Sequence, residues 1–185
     1  MARRKLVRPL MVKKDVEERK FQTELVEKLH EEWKGTSSIL MQVPTGGGKT
    51  EIVFRLRDKF PKILFVTSRR NLIDDVLRRA SDYGVRARQV NDLSVMKSWP
   101  EGVSLVVGHP RAIQNRLLDA PEAFPDLVVL DEAHHAAHKS EVPMLRTNQY
   151  TQILGRAINM GCKVLGMTAT PWRLEEDLGL SLIHI

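Results

Sequence analysis

The sequence predicts an α/β domain built on a parallel β-sheet. Short apolar runs, of the kind that form buried parallel strands, alternate along the chain with longer segments of helical periodicity. The first apolar run, residues 39–43, leads through Pro44 into a glycine-rich turn, and a helical pattern follows at once. A strand, a glycine-rich turn and a helix in this order form a cradle for phosphate groups, because exposed backbone N–H groups and a helix N-terminus both attract anions.

The composition is typical of one soluble globular domain. The chain has 185 residues, 42% hydrophobic and 28% charged, which suffice for one α/β core but not for two comfortable ones. The net charge of +6 favours a polyanionic partner, although Lys and Arg also serve to solvate a surface. The single cysteine, Cys162, suits a reducing compartment, and no apolar run reaches membrane-spanning length. We therefore expect a cytoplasmic protein without a membrane partner.

The N-terminal region divides into a basic arm and a helix. Residues 1–14 contain six basic and no acidic side chains, which predicts a flexible arm or an edge strand. Residues 15–33 begin with a capping-box pattern and continue with apolar residues at helical spacing. In this helix Arg19, Phe21 and Gln22 are placed to flank a purine, since the Gln amide can donate to and accept from the adenine edge. The alternative is an ordinary amphipathic helix with Phe21 in the core and Gln22 on the surface.

The glycine-rich turn carries the residue types that bind a nucleotide phosphate together with a metal ion. Lys49 would reach the terminal phosphates, and the Thr50 hydroxyl would ligate Mg²⁺. The strict phosphate-loop pattern has a glycine where this chain has Val43, so a plain glycine-rich turn is the alternative. The residues predicted to surround the phosphates are Thr45, Gly46, Gly47, Gly48, Lys49 and Thr50.

Strands and helices alternate after the cradle. Strands are predicted at 62–67, 85–90, 103–107, 126–130 and 163–167, and helices at 51–60, 72–83, 110–118 and 150–160. Asn71 ends the preceding turn or lies just inside the helix, and residues 139–149 form a surface loop. Arg69 and Arg70, beside the hydroxyl of Thr67 at the end of a strand, are placed to contact a nucleic-acid phosphate. Surface arginines at a helix start are the alternative.

The most apolar strand, residues 126–130, ends in the acidic pair Asp131 and Glu132. Carboxylates at the C-terminal end of a buried strand lie where parallel sheets bind their ligands. Asp131 is predicted to hold Mg²⁺, usually through water, and Glu132 to polarise an attacking water. An exposed acidic loop is one alternative. A zinc site is another, and it would use His134, His135 and His138.

The last buried strand, residues 163–167, is followed by the sequence Thr168-Ala169-Thr170-Pro171. The hydroxyls of Thr168 and Thr170 are placed to bridge the phosphate site and the acidic pair. A plain Thr/Pro turn is the alternative.

Together these stretches resemble the motifs of a superfamily 2 helicase or translocase. Residues 43–50 look like motif I in its helicase form, in which the first glycine is commonly absent, and residues 131–134 are a DEAH version of motif II. Residues 168–170 look like motif III, in a setting similar to the branch of type III restriction enzymes, UvrB and XPB. Looser matches are motif Ia at 65–71, motif Ib at 107–111 and the adenine-reading Q motif at 19–22. Motif Ib departs from the family pattern because His109-Pro110 stands where a Thr is usual.

The resemblance extends over roughly residues 15–173 and implies a P-loop NTPase domain of the RecA-like type, with helices on both faces of the sheet. It implies ATP and Mg²⁺ as cofactors and DNA, in preference to RNA, as the partner. The catalytic residues would be Lys49, Asp131 and Glu132. Coupling of the nucleotide state to strand contacts would fall to His134, Thr168 and Thr170, and nucleic-acid contacts to Thr67, Arg69, Arg70 and Arg111.

The same resemblance implies a second RecA-like domain that these residues do not contain. Motifs IV to VI, including the arginine finger, are absent, so we expect residues 15–179 to form the ATP-binding domain and to hydrolyse ATP weakly alone. Restriction or repair partners are a further expectation. Residues 180–185 look like the translation of the transposase mosaic-end sequence used in sequencing libraries, which predicts adapter read-through; a natural terminal strand is the alternative.

Overall fold

A seven-stranded parallel β-sheet forms the centre of the computed structural model, which describes residues 20–44, 46–90, 98–116, 123–135, 148–169 and 181–183. The strands are β1 (Ser38–Gln42), β2 (Ile63–Val66), β3 (Ala87–Gln89), β4 (Leu105–Gly108), β5 (Leu127–Asp131), β6 (Lys163–Thr168) and β7 (Ser181–Ile183). The helices are α1 (Lys20–Glu32), α2 (Lys49–Leu56), α3 (Arg70–Ala80), α4 (Pro110–Arg116) and α5 (Gln149–Asn159). The strand order is β3-β4-β2-β5-β6-β1-β7, and every neighbouring pair is parallel. The predicted parallel α/β architecture is confirmed.

The predicted strands and helices are present with shifted ends. Helix α2 ends at Leu56 rather than near residue 60, because residues 57–59 form a turn. Helix α3 begins at Arg70, so Asn71 lies inside the helix rather than in the turn. The chain leaves α3 through a short 3₁₀ turn and Gly84, whose φ of 64° is in the left-handed region that favours glycine.

Helices cover both faces of the sheet and create two apolar layers. One layer packs α1, α2 and α3 against the sheet and contains Leu29, Trp33, Ile52 and Phe65. The other packs α4 and α5 against the opposite face and contains Ile113, Ile153 and Leu130. Successive strand residues point to opposite faces, so strands buried on both sides are apolar almost throughout. Among the described residues, no helix is both long and apolar enough to cross a membrane.

The register of the central strands brings their carboxyl ends side by side. Val66 of β2 pairs with Leu130 of β5, Asp131 of β5 pairs with Met167 of β6, and Gln42 of β1 pairs with Thr168 of β6. The loops that follow β2, β5, β6 and β1 therefore emerge next to one another along one edge of the sheet. These loops contain the residues that the motifs single out.

The last strand among the described residues is β7, whose residues 181–183 pair in parallel with β1. The read-through origin of residues 180–185 stays a prediction beside the alternative of a natural terminal strand. The basic arm at 1–14 lies outside the described residues, as does most of the loop predicted at 139–149. Of that loop, Gln149 is instead the first residue of α5, and Asn148 is its N-cap, whose side chain accepts a hydrogen bond from the Thr151 backbone N–H at 2.9 Å.

Candidate nucleotide-binding and hydrolysis site

The turn between β1 and α2 has the backbone of a phosphate cradle. Gly48 directly precedes α2 with φ 77° and ψ 34°, a left-handed conformation that is strained for any residue with a Cβ. Gly47 has no such φ, but a Cβ there would lie only 2.6 Å from Cγ1 of Val43. Val43, which replaces the usual first glycine, is buried beneath the turn. The valine thus fills the space under the cradle, and the glycines above it keep the backbone open to a ligand.

Gln22 of α1 lies directly against this cradle. Its side chain is only 3% exposed, and a Cβ on Gly48 would collide with its amide nitrogen. Phe21, in contrast, is 38% exposed. The alternative that placed Phe21 in the core and Gln22 on the surface is therefore wrong, because the helix turns the amide inward and the ring outward. The adenine contacts of Phe21 and Gln22 remain predictions, and Arg19 lies outside the described residues.

Lys49 and Thr50 occupy the first turn of α2, and Thr50 is buried. The positive charge of Lys49 acts on Asp131 and opposes the rise that burial causes in the pKa of that carboxyl. The cradle and the acidic pair are therefore close to one another, and their binding of one nucleotide stays a prediction. Thr45, the remaining cradle residue, lies outside the described residues.

Asp131 is a buried carboxylate at the end of β5, and a neighbouring side chain donates a hydrogen bond to it. The hydroxyl of Thr67 donates to its Oδ2 at 2.9 Å. Burial raises the pKa of Asp131, the Thr67 hydrogen bond and the charges of Lys49 and Arg69 oppose that rise, and the charge of Glu132 adds to it. A buried carboxyl with a raised pKa is costly to ionise, and a bound divalent cation would stabilise its ionised form. Asp131, together with the Thr50 hydroxyl, therefore fits a magnesium site.

The role of Thr67 differs from the predicted nucleic-acid contact. Its side chain is 0% exposed, and its hydroxyl is directed at Asp131. A fully buried hydroxyl cannot reach a backbone phosphate, so the structure corrects this assignment. Thr67 also accepts a hydrogen bond from the backbone N–H of Arg69 at 3.2 Å, which joins the turn after β2 to the acidic pair.

Glu132 adopts a strained backbone and is held from two sides. Its φ of 51° is the one positive value among the described residues other than glycine. Nη2 of Arg69 lies 2.6 Å from its Oε1, and Nδ1 of His134 lies 3.4 Å from its Oε2. Strain of this kind persists only where surrounding contacts hold it, and it is concentrated at functional sites. The exposed acidic loop considered as an alternative is not present, since Asp131 and Glu132 are both buried.

His134 connects the acidic turn to the end of β6. Its Nδ1 lies 3.2 Å from the hydroxyl of Thr168, which is fully buried, and the carbonyl of Thr168 accepts a hydrogen bond from the Val43 backbone N–H. Thr168 thus contacts His134 through its hydroxyl and the cradle strand through its carbonyl, and the bridging of the phosphate site and the acidic pair by its hydroxyl stays a prediction. Thr170 lies outside the described residues.

The alternative of a zinc site finds no support within the described part of the chain. No group of three or more His, Cys, Asp or Glu side chains there is arranged to hold a metal ion. His134 instead faces Thr168 and Glu132. His138 and the side chain of His135 are outside what the structure describes.

Arg70 and Arg111 are exposed in the first turns of α3 and α4. The backbone N–H of Arg111 donates to Nδ1 of His109 at 3.3 Å, so the unusual His of motif Ib stabilises the start of α4. Within the described part of the chain, neither arginine forms an ion pair. Their contact with nucleic acid stays a prediction.

Tyr150 was not predicted as a site residue. It is buried at the start of α5, and burial raises its pKa while the neighbouring Ser68 opposes that rise. The negative charges of Asp131 and Glu132 also act on its hydroxyl, which places the ring beside the site. Nothing in the local sequence marks this residue, because its proximity arises from the packing of α5 on the sheet.

Comparison with known proteins identifies the family of this chain. Residues 15–173 match the family described as Type III restriction enzyme, res subunit. A 51.5 kDa protein of a Lactococcus phage (isolate 7-9) is 28% identical over 142 residues, which are 75% of this chain and 25% of that protein. The chain thus spans a quarter of the length of this relative.

Solved structures share the fold. A nuclease-deletion mutant of the Type ISP restriction-modification enzyme LlaGI, in complex with a DNA substrate mimic, has a TM-score of 0.65 at 15% identity, over 91% of this chain and 20% of its own. The Sulfolobus solfataricus SWI2/SNF2 ATPase core in complex with dsDNA has a TM-score of 0.60 at 18% identity, over 92% of this chain and 35% of its own. The UvsW helicase from bacteriophage T4 has a TM-score of 0.62 at 13% identity, over 94% of this chain and 62% of its own.

At these identities the structural likeness establishes the fold, which is the RecA-like α/β fold of P-loop NTPases. The family match establishes more, because it extends over the whole region that carries motifs I, II and III. The chain belongs to the family of the Type III restriction enzyme res subunit and forms a helicase-type motor domain of superfamily 2.

Proposed function

We propose that this chain is the ATP-binding first motor domain of a DNA helicase or translocase, in which ATP hydrolysis drives movement along the nucleic acid. The observation that carries the proposal is the position of the cradle, after β1, and of the acidic pair, at the end of β5, along the same edge of the parallel sheet. The charges of Lys49 and Glu132 both act on the buried carboxyl of Asp131 there. Family membership supports it, and DNA as the partner is supported by the DNA-bound state of the LlaGI and SWI2/SNF2 structures.

Each residue of the site has a role that its surroundings suit. The backbone N–H groups of residues 45–48 and the α2 N-terminus would hold the phosphates, with Lys49 on the terminal ones. Mg²⁺, held by Thr50 and Asp131, would neutralise charge on the phosphate oxygens. Glu132 would orient the attacking water, and the hydrogen bond from Thr67 opposes the rise that burial causes in the pKa of Asp131.

The adenine end of the nucleotide would contact α1. Gln22 already lies against the cradle, and the exposed ring of Phe21 is available to stack on a base. Arg19 would complete this group. His134, Thr168 and Thr170 would couple the nucleotide state to strand contacts, and Arg69, Arg70 and Arg111 would bind the nucleic-acid backbone.

A second RecA-like domain would complete the site. An arginine finger supplied by such a domain contributes on the order of 10³–10⁵ in rate in well-studied NTPases. We therefore expect residues 1–179 to bind ATP weakly and to hydrolyse it slowly, and the complete gene product to act in the cytoplasm. Brisk hydrolysis by residues 1–179 would contradict the need for that finger.

The test compares ATP hydrolysis by the full-length gene product with and without DNA. We expect DNA to accelerate hydrolysis and Lys49→Ala to abolish it, because the terminal phosphates lose their cationic partner. The matched control is Lys34→Ala, which removes an exposed lysine paired with Glu31 on α1, and it should change neither rate. Unchanged turnover in Lys49→Ala would overturn the site assignment. An RNA arm of the assay decides between the two nucleic acids.

A second candidate is the motor of a restriction or repair complex that translocates without separating strands. It is favoured by the family match and by the restriction enzyme among the structural neighbours. Displacement of a third strand from a triplex, without displacement of a duplex strand, would identify it. A non-catalytic, nucleotide-gated binding module is a weaker candidate, because Lys49, Asp131 and Glu132 are all present; DNA-stimulated hydrolysis would exclude it.

A further inference from the structure

Arg69 and Glu132 belong to two different parts of the proposed function, yet they form an ion pair. Nη2 of Arg69 lies 2.6 Å from Oε1 of Glu132. The second carboxylate oxygen, Oε2, lies 3.4 Å from Nδ1 of His134. Both oxygens of the carboxylate that would orient the attacking water therefore already face nitrogen atoms of the protein.

The two partners differ in their freedom to move. The side chain of Glu132 is 11% exposed and stands on a strained backbone, whereas that of Arg69 is 64% exposed at the entry to α3. Arg69 can leave the pair by rotating into solvent, and an incoming ligand can reach it there. Glu132 has no comparable route, so Arg69 is the partner that an external charge can displace.

The chemistry of the pair lowers the reactivity of the carboxylate. A hydrogen bond from the guanidinium occupies lone pairs of the carboxylate that would otherwise accept from water. A guanidinium binds phosphate with the same forked geometry that it uses for carboxylates. A phosphate of the nucleic-acid backbone is therefore a direct competitor of Glu132 for Arg69.

We propose that Arg69 is a latch on Glu132, which a nucleic-acid phosphate opens. Without nucleic acid, the guanidinium restrains the carboxylate and hydrolysis is slow. When a backbone phosphate takes up the guanidinium, Glu132 is free to orient the attacking water. Arg69 is in this sense a positioning residue that makes hydrolysis depend on the nucleic acid, and the proposal rests on the proposed function.

The test measures ATP hydrolysis by the full-length gene product, without DNA and at saturating DNA, for the wild type and for Arg69→Gln. Glutamine removes the charge that restrains Glu132, so the DNA-free rate should rise about fivefold, the factor expected for an exposed pair. The stimulation by DNA should fall correspondingly. Arg78→Gln is the matched control, because Arg78 lies on α3, the helix that Arg69 directly precedes, is 71% exposed and pairs with Asp75 instead. Both hydrolysis rates of this variant should equal those of the wild type.

The salt dependence of the DNA-free hydrolysis rate distinguishes the latch from a merely structural role of Arg69. Raising the salt concentration weakens an exposed ion pair, so the DNA-free rate of the wild type should rise with salt. The DNA-free rate of Arg69→Gln should not. A wild-type rate without this salt response would count against the latch.

The proposal is overturned if the DNA-free rate of Arg69→Gln equals or falls below that of the wild type, because Arg69 is then only a phosphate contact. Binding of a fluorescent ATP analogue verifies that the variant is folded. If it is not, Arg69→Met decides, since methionine also removes the charge but keeps much of the length of the side chain: a raised DNA-free rate supports the latch, and an unraised one overturns it. Failure of the proposed function itself looks different, because the wild type would then show no DNA-stimulated hydrolysis.

Discussion

The hydroxyl of Thr67 donates a 2.9 Å hydrogen bond to Oδ2 of Asp131, across the boundary between β2 and β5. Both side chains are buried, so the Asp131 carboxyl receives this hydrogen bond where little water can reach it. It also connects the turn that carries Arg69 to the carboxylate predicted to hold Mg²⁺, since the Arg69 backbone N–H donates to the same hydroxyl. The first prediction concerns this bond.

Thr67→Val should weaken both the fold and the site. The substitution keeps the shape of the side chain but leaves the buried carboxylate without its donor, which costs about 1–3 kcal/mol of stability. The pKa of Asp131 should rise further, because the lost hydrogen bond lowers it in the wild type. Chemical denaturation measures the first effect, and the Mg²⁺ dependence of ATP hydrolysis measures the second. Thr67→Ser keeps the hydroxyl and should retain most of both properties; equal losses in the two variants would contradict the role of the bond.

Asp131→Asn should stabilise the metal-free chain while it abolishes hydrolysis. Burial raises the pKa of Asp131 above its ordinary value of 3.8 in the folded state. Folding therefore favours the protonated acid, and the stability from this group is present below pH 3.8 and lost as the pH rises through the raised folded pKa. Asparagine removes that loss, so the gain in melting temperature over the wild type should be largest near neutral pH and vanish in acid.

Thermal melts across a pH series, without Mg²⁺, measure this difference. Asp58→Asn is the control, because Asp58 is an exposed residue that should show no such pH-dependent gain. Adding Mg²⁺ with ATP should favour the wild type instead, since only the carboxylate binds the cation strongly. A variant that melts below the wild type at neutral pH in the absence of metal would refute the prediction.

Gly48→Ala should disable the cradle. A left-handed φ costs a residue with a Cβ roughly 1–2 kcal/mol, and the added methyl group would also collide with the amide of Gln22. We expect a lower melting temperature and no detectable binding of a fluorescent ATP analogue. Gly155→Ala is the matched control. It lies in α5 with open space around it, and alanine there should add about 0.5–1 kcal/mol of stability.

His134 and Thr168 should be energetically coupled. Their side chains lie 3.2 Å apart, so His134→Ala and Thr168→Val each remove the same hydrogen bond. A double-mutant cycle on stability should give a coupling of about 0.5–1.5 kcal/mol. In the full-length gene product both variants should lose stimulation by DNA. Additive effects in the cycle would show that the two residues act independently.

Several features of the site follow from local patterns in the chain. Residues 46–50 and the buried strand before them predict a phosphate cradle without any neighbour, since glycine conformations and helix starts are local properties. Asp131 and Glu132 are predictable for a similar reason, because an acidic pair directly after an apolar strand must lie at the end of that strand. The parallel sheet follows from strands that are apolar on both faces.

Other features depend on which strands become neighbours. Thr67 and Asp131 are 64 residues apart, and Arg69 and Glu132 are 63 residues apart, so their bonds exist only because β2 lies beside β5. From the sequence, Thr67 has the properties of a surface hydroxyl and Arg69 those of a free cation. Because β2 lies beside β5, Thr67 is instead buried against Asp131, and Arg69 pairs with Glu132.

The chain alone, then, defined the chemical groups of this protein and the strands and turns that carry them, because glycine turns, capping residues and apolar periodicity are short-range signals. Three-dimensional packing settled which groups meet: Gln22 turned toward the cradle, Thr67 beneath Asp131, Tyr150 beside the site and Arg69 on Glu132. These contacts join residues distant in sequence, whose proximity depends on the register and order of the whole sheet.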